Sequence, residues 1–216
     1  MIELEYQLIA YHDNKLNRYW ITKPNIKWPT KTLKQTDIKQ TSSLSQIITQ
    51  DLSKRFNQIK IKESQIQFNF PKLNNQKFIL PVIVYLNQDQ ATKIINDQTD
   101  GQFFNEAQIP GDLPKSLKTD NQNLKVFLND DLQAHALKNI HYLLPKTFTA
   151  KQLSALLTII TDRQIKRNNI RRDFLSQTKI VGKDHSHAGY PSNLFQYDDT
   201  NFNIKDKPKL KGPHRI

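Results

Sequence analysis

The chain has 216 residues, 37% of them hydrophobic, and carries 32 Lys and Arg against 20 Asp and Glu, a net charge of +12. That length suits one large domain or two modest ones, and the basic excess favours a polyanion partner, because phosphates neutralised by Lys or Arg release counterions. There is no cysteine, which excludes disulfides, thiolate metal sites and a cysteine nucleophile.

Residues 2–10 alternate apolar and polar, as a half-buried strand does. Glu3 and Glu5 stand where a secretory signal needs basic residues, and Leu8-Ile9-Ala10 is too short an apolar run for one. No stretch approaches the ~20 apolar residues that span a bilayer, so an intracellular, cytoplasmic protein without a membrane partner is expected. Tyr19-Trp20-Ile21 reads as a second strand, closed by Pro24. Residues 27–41 are polar and read as a loop. Thr41-Ser42-Ser43 can cap a helix over 44–56, where Leu44, Ile47, Ile48, Leu52 and Phe56 follow helical spacing. Residues 59–70 alternate again, and Phe78–Leu86 is an apolar run broken by Pro81, consistent with a buried strand beginning near the proline. Residues 91–114 are mixed, with turn signals at Gly101, Pro110, Gly111 and Pro114. Asp130-Asp131 can start a helix that Pro145 ends.

The charge is unevenly placed. Residues 143–216 hold 14 Lys and Arg against 6 Asp and Glu, a net of +8, and residues 1–142 carry the remaining +4. Within that last third, Thr149 is a plausible cap for a helix over 150–161. Thr161-Asp162-Arg163 makes a short break, and a second helix is expected over 165–176. Ile170 and Phe174 share its inner face. At 100° per residue, Asn168, Asn169 and Arg172 point the other way, with Lys166, Arg167 and Arg171 on the flanks. Asn and Arg read adenine and guanine in the major groove, and flanking Lys and Arg suit phosphate. Two strand-like runs follow, Lys179-Ile180-Val181 and Asn193–Tyr197. They surround a polar tip with Lys183, His185 and His187. Helix, break, basic helix and hairpin is the order of a winged helix-turn-helix. Lys151, Lys166, Arg167, Asn168, Asn169, Arg171, Arg172, Lys179, Lys183 and His187 are the candidate contacts to double-stranded DNA. His185 and His187 could instead form a metal pair, but no third ligand stands near them, and no metal or cofactor is expected.

This segment resembles the C-terminal domain of the Nudix-related transcriptional regulators of NAD metabolism. The resemblance is carried by Pro145, Phe148-Thr149, the run Lys166-Arg167-Asn168-Asn169-Ile170-Arg171-Arg172, and Leu194-Phe195-Gln196-Tyr197. It covers about 55 residues. The chain has one additional Asn, and Ile170 where that family has Phe. The resemblance implies an α+β protein: a Nudix-like α/β/α sandwich over residues 1–125, a winged helix over 126–200, and a basic tail over 201–216. It also implies a homodimer whose first domain senses a nucleotide such as ADP-ribose.

A Nudix hydrolase needs a glutamate-rich box on a helix to hold magnesium. Aligned on Ser43-Leu44, that box becomes Gln50-Asp51-Leu52-Ser53-Lys54-Arg55-Phe56-Asn57. Its metal-binding glutamate pair becomes Lys54-Arg55, and its usual glycines become Thr30-Lys31. Magnesium needs clustered carboxylate oxygens, and two cations repel it. No hydrolase activity is therefore expected, although an inert site can still bind. Arg18, Trp20, Lys54 and Arg55 are the candidate effector contacts; Arg18, Tyr19 and Trp20 could line a pocket, core packing explains the two aromatics as well, and Lys54 and Arg55 suit a solvated helix face. Two other classes stay open: a divergent hydrolase using Glu63, Glu106 or Asp112, and an RNA- or protein-binding module.

Overall fold

A computed structural model describes residues 1–22, 26–34, 37, 43–56, 59–74, 76–97, 100–108, 111, 113, 115–186, 190–198 and 200. Two compact units divide the chain, Met1–Lys118 and Thr119–Ile216.

The first unit is built on a mixed sheet. Strand β1 (Ile2–His12) turns through Asp13 and Asn14, both at positive φ, into β2 (Lys15–Ile21). Asp and Asn tolerate that backbone region, and a two-residue turn with both φ positive matches the twist of a hairpin. β3 (Thr30–Thr32) pairs antiparallel with the start of β1. It lies inside the stretch expected to be a loop. Three polar residues carry no strand pattern of their own, and the pairing to Glu3–Glu5 alone makes them a strand.

Helix α1 (Leu44–Arg55) starts where expected, with the Ser43 hydroxyl accepting from Gln46 N at 3.1 Å. Thr41 and Ser42, the other proposed cap residues, lie outside the described residues. Strands β4 (Ile66–Phe68) and β5 (Lys72–Asn74) both pair antiparallel with β6 (Lys77–Leu86), which runs parallel to β1. Helix α2 (Gln88–Asp97) and strand β7 (Gly101–Asn105) occupy the stretch that sequence left mixed. The long path of the sheet is β4-β6-β1-β2-β7.

Leu4, Tyr6 and Leu8 of β1 share a buried cluster with Val82, Val84 and Leu86 of β6, Ile48 and Leu52 of α1, and Ile94 of α2. Trp20 alternates with Tyr19 and Ile21 of that cluster, so it faces the other way, where it meets Trp28 and Leu113, with Leu117 packed against them. Helices α1 and α2 thus cover the first face, and Leu117 packs on the other. Toward the starts of β1 and β6, the first face stays bare. Ile2 and Leu73 both pair with Phe78, and all three are exposed, as are Phe68, Phe70 and Met1 beside them.

Helix α3 (Lys115–His135) begins 15 residues before the start expected at Asp130. In the second unit its buried Leu124, Leu128 and Leu132 repeat at helical spacing. One helical turn at Leu137–Ile140 follows, then β8 (Phe148–Thr149), α4 (Ala150–Thr161), α5 (Arg167–Asp173), β9 (Thr178–Asp184) and β10 (Ser192–Tyr197). β10 lies between β8 and β9. The order helix, strand, helix, helix and two-stranded wing is a winged helix-turn-helix.

Candidate nucleic-acid interface

Thr149 fixes the entry to α4 with a complete capping box. Its hydroxyl accepts from Gln152 N at 3.2 Å, and the Gln152 side chain accepts from Thr149 N at 2.8 Å. At the other end Asp162 takes the left-handed conformation, φ 51°, and stops the helix. Its carboxylate lies 3.3 Å from Lys125 Nζ. Three residues later Ile165 is buried, and α5 starts at Arg167. Helix α5 is shorter than the 165–176 expected, because Phe174 ends it and Leu175–Gln177 continue as a 3-10 turn.

Ile170 and Phe174 are both buried, as their spacing required. Lys166, Arg167, Asn168, Arg171 and Arg172 are exposed, and Asn169 is half-buried. A groove of about 1180 Å³ runs along one flank of α5. Its walls include Lys151 from the first turn of α4, Lys166, Arg167 and Arg171 from α5, and Tyr190 and Asn193 from the wing; Ile170 and Phe195 also line it. Arg167 and Arg171 stand four apart, so one helix flank supplies both.

Four of the ten candidate contacts therefore converge on one groove. Asn168, Asn169 and Arg172 do not line it, and Arg172 pairs with its neighbour Asp173. Lys179 and Lys183 are exposed along β9. His187 lies outside the described residues. Sequence did not single out Tyr190, which is 89% exposed at the wing with the Lys183 ammonium 5.3 Å from its ring centroid. The available signal was an aromatic beside Pro191 in a turn, which reads as a turn before it reads as a contact. Ile180 and Val181 are also exposed on β9, where an alternating strand would hide one of them.

The candidate effector residues lie in the first unit. Arg18 and Trp20 are each 1% exposed, and Trp20 stacks on Trp28 with ring centroids 3.7 Å apart at 19°. Lys54 is exposed on α1. Arg55 Nη2 donates to Thr30 O at 3.0 Å and lies 3.9 Å from Asp51. Lys31, at the position of a box glycine, brings its ammonium within 3.3 Å of the same carboxylate. Asp51, which keeps an acid in the box, is thus flanked by two cations. The buried Tyr6 phenol sits beside it; burial first, then the Asp51 charge, pushes the phenol far above its ordinary range.

Of the carboxylates considered for a divergent hydrolase, Glu63 is exposed at the start of a 3-10 turn. Asp112 and the Glu106 side chain lie outside the described residues. Among the described residues no group of three or more His, Asp or Glu could hold a metal ion, and no helix is long and apolar enough to cross a membrane.

Fold and site together define a two-unit α+β protein, a Nudix-like sheet followed by a winged helix. No protein-family model matches the sequence, and no curated protein does. Solved structures do share the fold. NrtR, the Nudix-related transcriptional regulator of Shewanella oneidensis, solved with a 27mer DNA, superposes with a TM-score of 0.74 at 14% identity, over 93% of this chain and 94% of that one. A second structure of Shewanella oneidensis NrtR gives 0.71 at 15% identity over 92% and 94%. A MutT/nudix family protein from Enterococcus faecalis gives 0.66 at 11% identity over 91% and 87%.

Proposed function

We propose that this chain is a DNA-binding transcriptional regulator in which an inert Nudix-like unit governs a winged helix. The observation that carries this is helix α5. Ile170 and Phe174 anchor it inward, and five of the seven side chains from Lys166 to Arg172 stand exposed, four cations and one amide, suited to phosphate and base edges. The groove with Lys151, Lys166, Arg167 and Arg171 gives a backbone strand a cationic bed. The shared fold with NrtR, which was solved on DNA, supports the same assignment.

In this reading residues 1–125 sense, residues 126–200 bind DNA, and residues 201–216 form a basic tail. The protein acts where the DNA is, in the cytoplasm. A nucleotide, ADP-ribose or a relative, is the effector the fold favours. A ligand moves DNA affinity only by binding one state of the regulator better than another. The unit does not hydrolyse nucleotides, since the one acid of the box is neutralised by Lys31 and Arg55.

The regulator works as a homodimer, because one winged helix contacts one half-site. The bare apolar face around Ile2, Phe68, Phe70, Leu73 and Phe78 is the surface that fits a second copy. It offers on the order of 500 Å² of apolar surface, at about 150–250 Å² for each fully exposed aromatic, the scale of a patch that marks an interface.

The deciding experiment is selection of a duplex from a random library, followed by anisotropy titration across salt. A selected sequence that binds well above random duplex, with affinity falling steeply with salt, is expected. Equal affinity for all duplexes, or preference for single strands, sinks the regulator.

A further inference from the structure

One exposed arginine of α5 is tied to a buried acid. Arg172 donates from Nε to Asp173 Oδ1 at 2.5 Å and from Nη2 to Oδ2 at 2.8 Å. The arginine side chain is 62% exposed, whereas that of Asp173 is 7% exposed. Asp173 sits on the inner side of α5 with Ile170. The framework behind it is firm: its carbonyl accepts from Gln177 Nε2 at 3.2 Å, and Gln177 Oε1 in turn accepts from Leu137 N at 3.2 Å.

An unpaired surface arginine samples many rotamers, and ordering it on binding costs free energy. A two-point fork to an anchored carboxylate removes much of that freedom beforehand. The fork also determines which donors remain. It takes Nε–H and one Nη2–H, the side edge of the guanidinium. The end edge, Nη1–H and the second Nη2–H, points away from the acid as two parallel donors. That pair matches the O6 and N7 acceptors of guanine in the major groove.

We propose that Asp173 is a positioning residue for base readout, holding Arg172 so that its free edge reads one guanine. This rests on the DNA-binding reading. Asp173 touches no base and acts only through Arg172. The same fork would be of little use for a phosphate contact, because a phosphate is reached from many directions and an acid close by repels it.

The test uses the full chain and its selected duplex. Wild type, Asp173→Asn, Arg172→Ala and the double variant are titrated against that duplex and every single-base substitution of it, at fixed salt. Arg172→Ala is expected to abolish preference at one G·C pair, a loss of about 5- to 150-fold there. Asp173→Asn should lose most of the same preference at the same pair, while its affinity for duplexes already changed at that pair stays within about twofold. The double variant should lose no more there than Arg172→Ala alone, as groups acting in one chain of contacts are not additive. Unchanged guanine preference in Asp173→Asn overturns the proposal, as does a uniform loss over all sequences, which a merely structural acid would give. Failure of the wild type to prefer any duplex overturns the DNA-binding reading itself, and that result is distinct. Should Asp173→Asn not fold, the Arg172 Nε–H resonance of the free wild-type protein decides. A downfield, slowly exchanging signal is expected, and an Arg172 signal like that of an unpaired arginine overturns the fork.

Discussion

At the scale of single residues, position on α5 separates those that set strength from those that set choice. Arg167 and Arg171 share the groove flank, so either one changed to Ala should weaken binding to every duplex alike. Each should also lower the slope of log affinity against log salt by about 1. Asn169 lies outside the groove lining, on the same turn of helix as Arg172. Its change to Ala should cost about 1–3 kcal/mol on the selected duplex and relax one base pair only, read by the same titrations. In the first unit, two phenols set an alkaline limit. Burial is the main cause that raises both Tyr6 and Tyr19, with Asp51 and Asp100 adding to it. Each phenol stays neutral in the folded chain at a pH where the free side chain, at 10.0, already ionises. Its contribution to stability is therefore complete below pH 10 and is lost as pH rises beyond it. Urea midpoints of the first unit should fall above that pH, and Tyr6→Phe should flatten the fall.

At the scale of elements, what the sequence disclosed was whatever its local chemistry specified. Thr149 and Gln152 form a reciprocal cap three residues apart, and α4 starts where that pair places it. Thr149→Ala should cost about 1 kcal/mol, measured by urea unfolding followed in the helical circular-dichroism band. Ile170 and Phe174 gave the inner face of α5, and Phe174→Ala should cost about 3–5 kcal/mol. The missed elements lacked such signals or carried them without an apolar stripe. Helix α2 hides only Gln90, Ala91 and Ile94, too few for a visible stripe. Its cap was nevertheless written in the chain, since Asn87 Oδ1 accepts from Gln90 N at 2.9 Å and Gln90 Oε1 from Asn87 N at 3.0 Å. The part of α3 before Asp130 carries Leu117, Leu124 and Leu128 among many polar residues, with Val126 exposed, and turn residues stand directly before it. β3 exists through pairing alone, which no window of sequence can display. At the site, the cationic flank was legible because side chains on a short helix follow its rotation. The Arg172 fork was not, since neighbours in a helix point about 100° apart and meet only when a long side chain folds back.

For the whole molecule, self-association and inert chemistry are the two claims open to direct measurement. Phe70 is 86% exposed beside the bare sheet face. Phe70→Asp should convert a dimer in sedimentation velocity to a monomer and weaken binding to a two-half-site duplex, while the affinity for a single half-site stays unchanged. Pure protein with magnesium and ADP-ribose should release no AMP above a buffer control by chromatography, and turnover would overturn the inert assignment of the box. The stacked indoles of Trp20 and Trp28 have a practical consequence, because they are the 2 tryptophans of the chain and both belong to Met1–Lys118. Tryptophan emission therefore reports melting of the first unit alone and is blind to the second. Comparing that optical trace with calorimetry of the intact chain separates the two melting events without cutting the polypeptide.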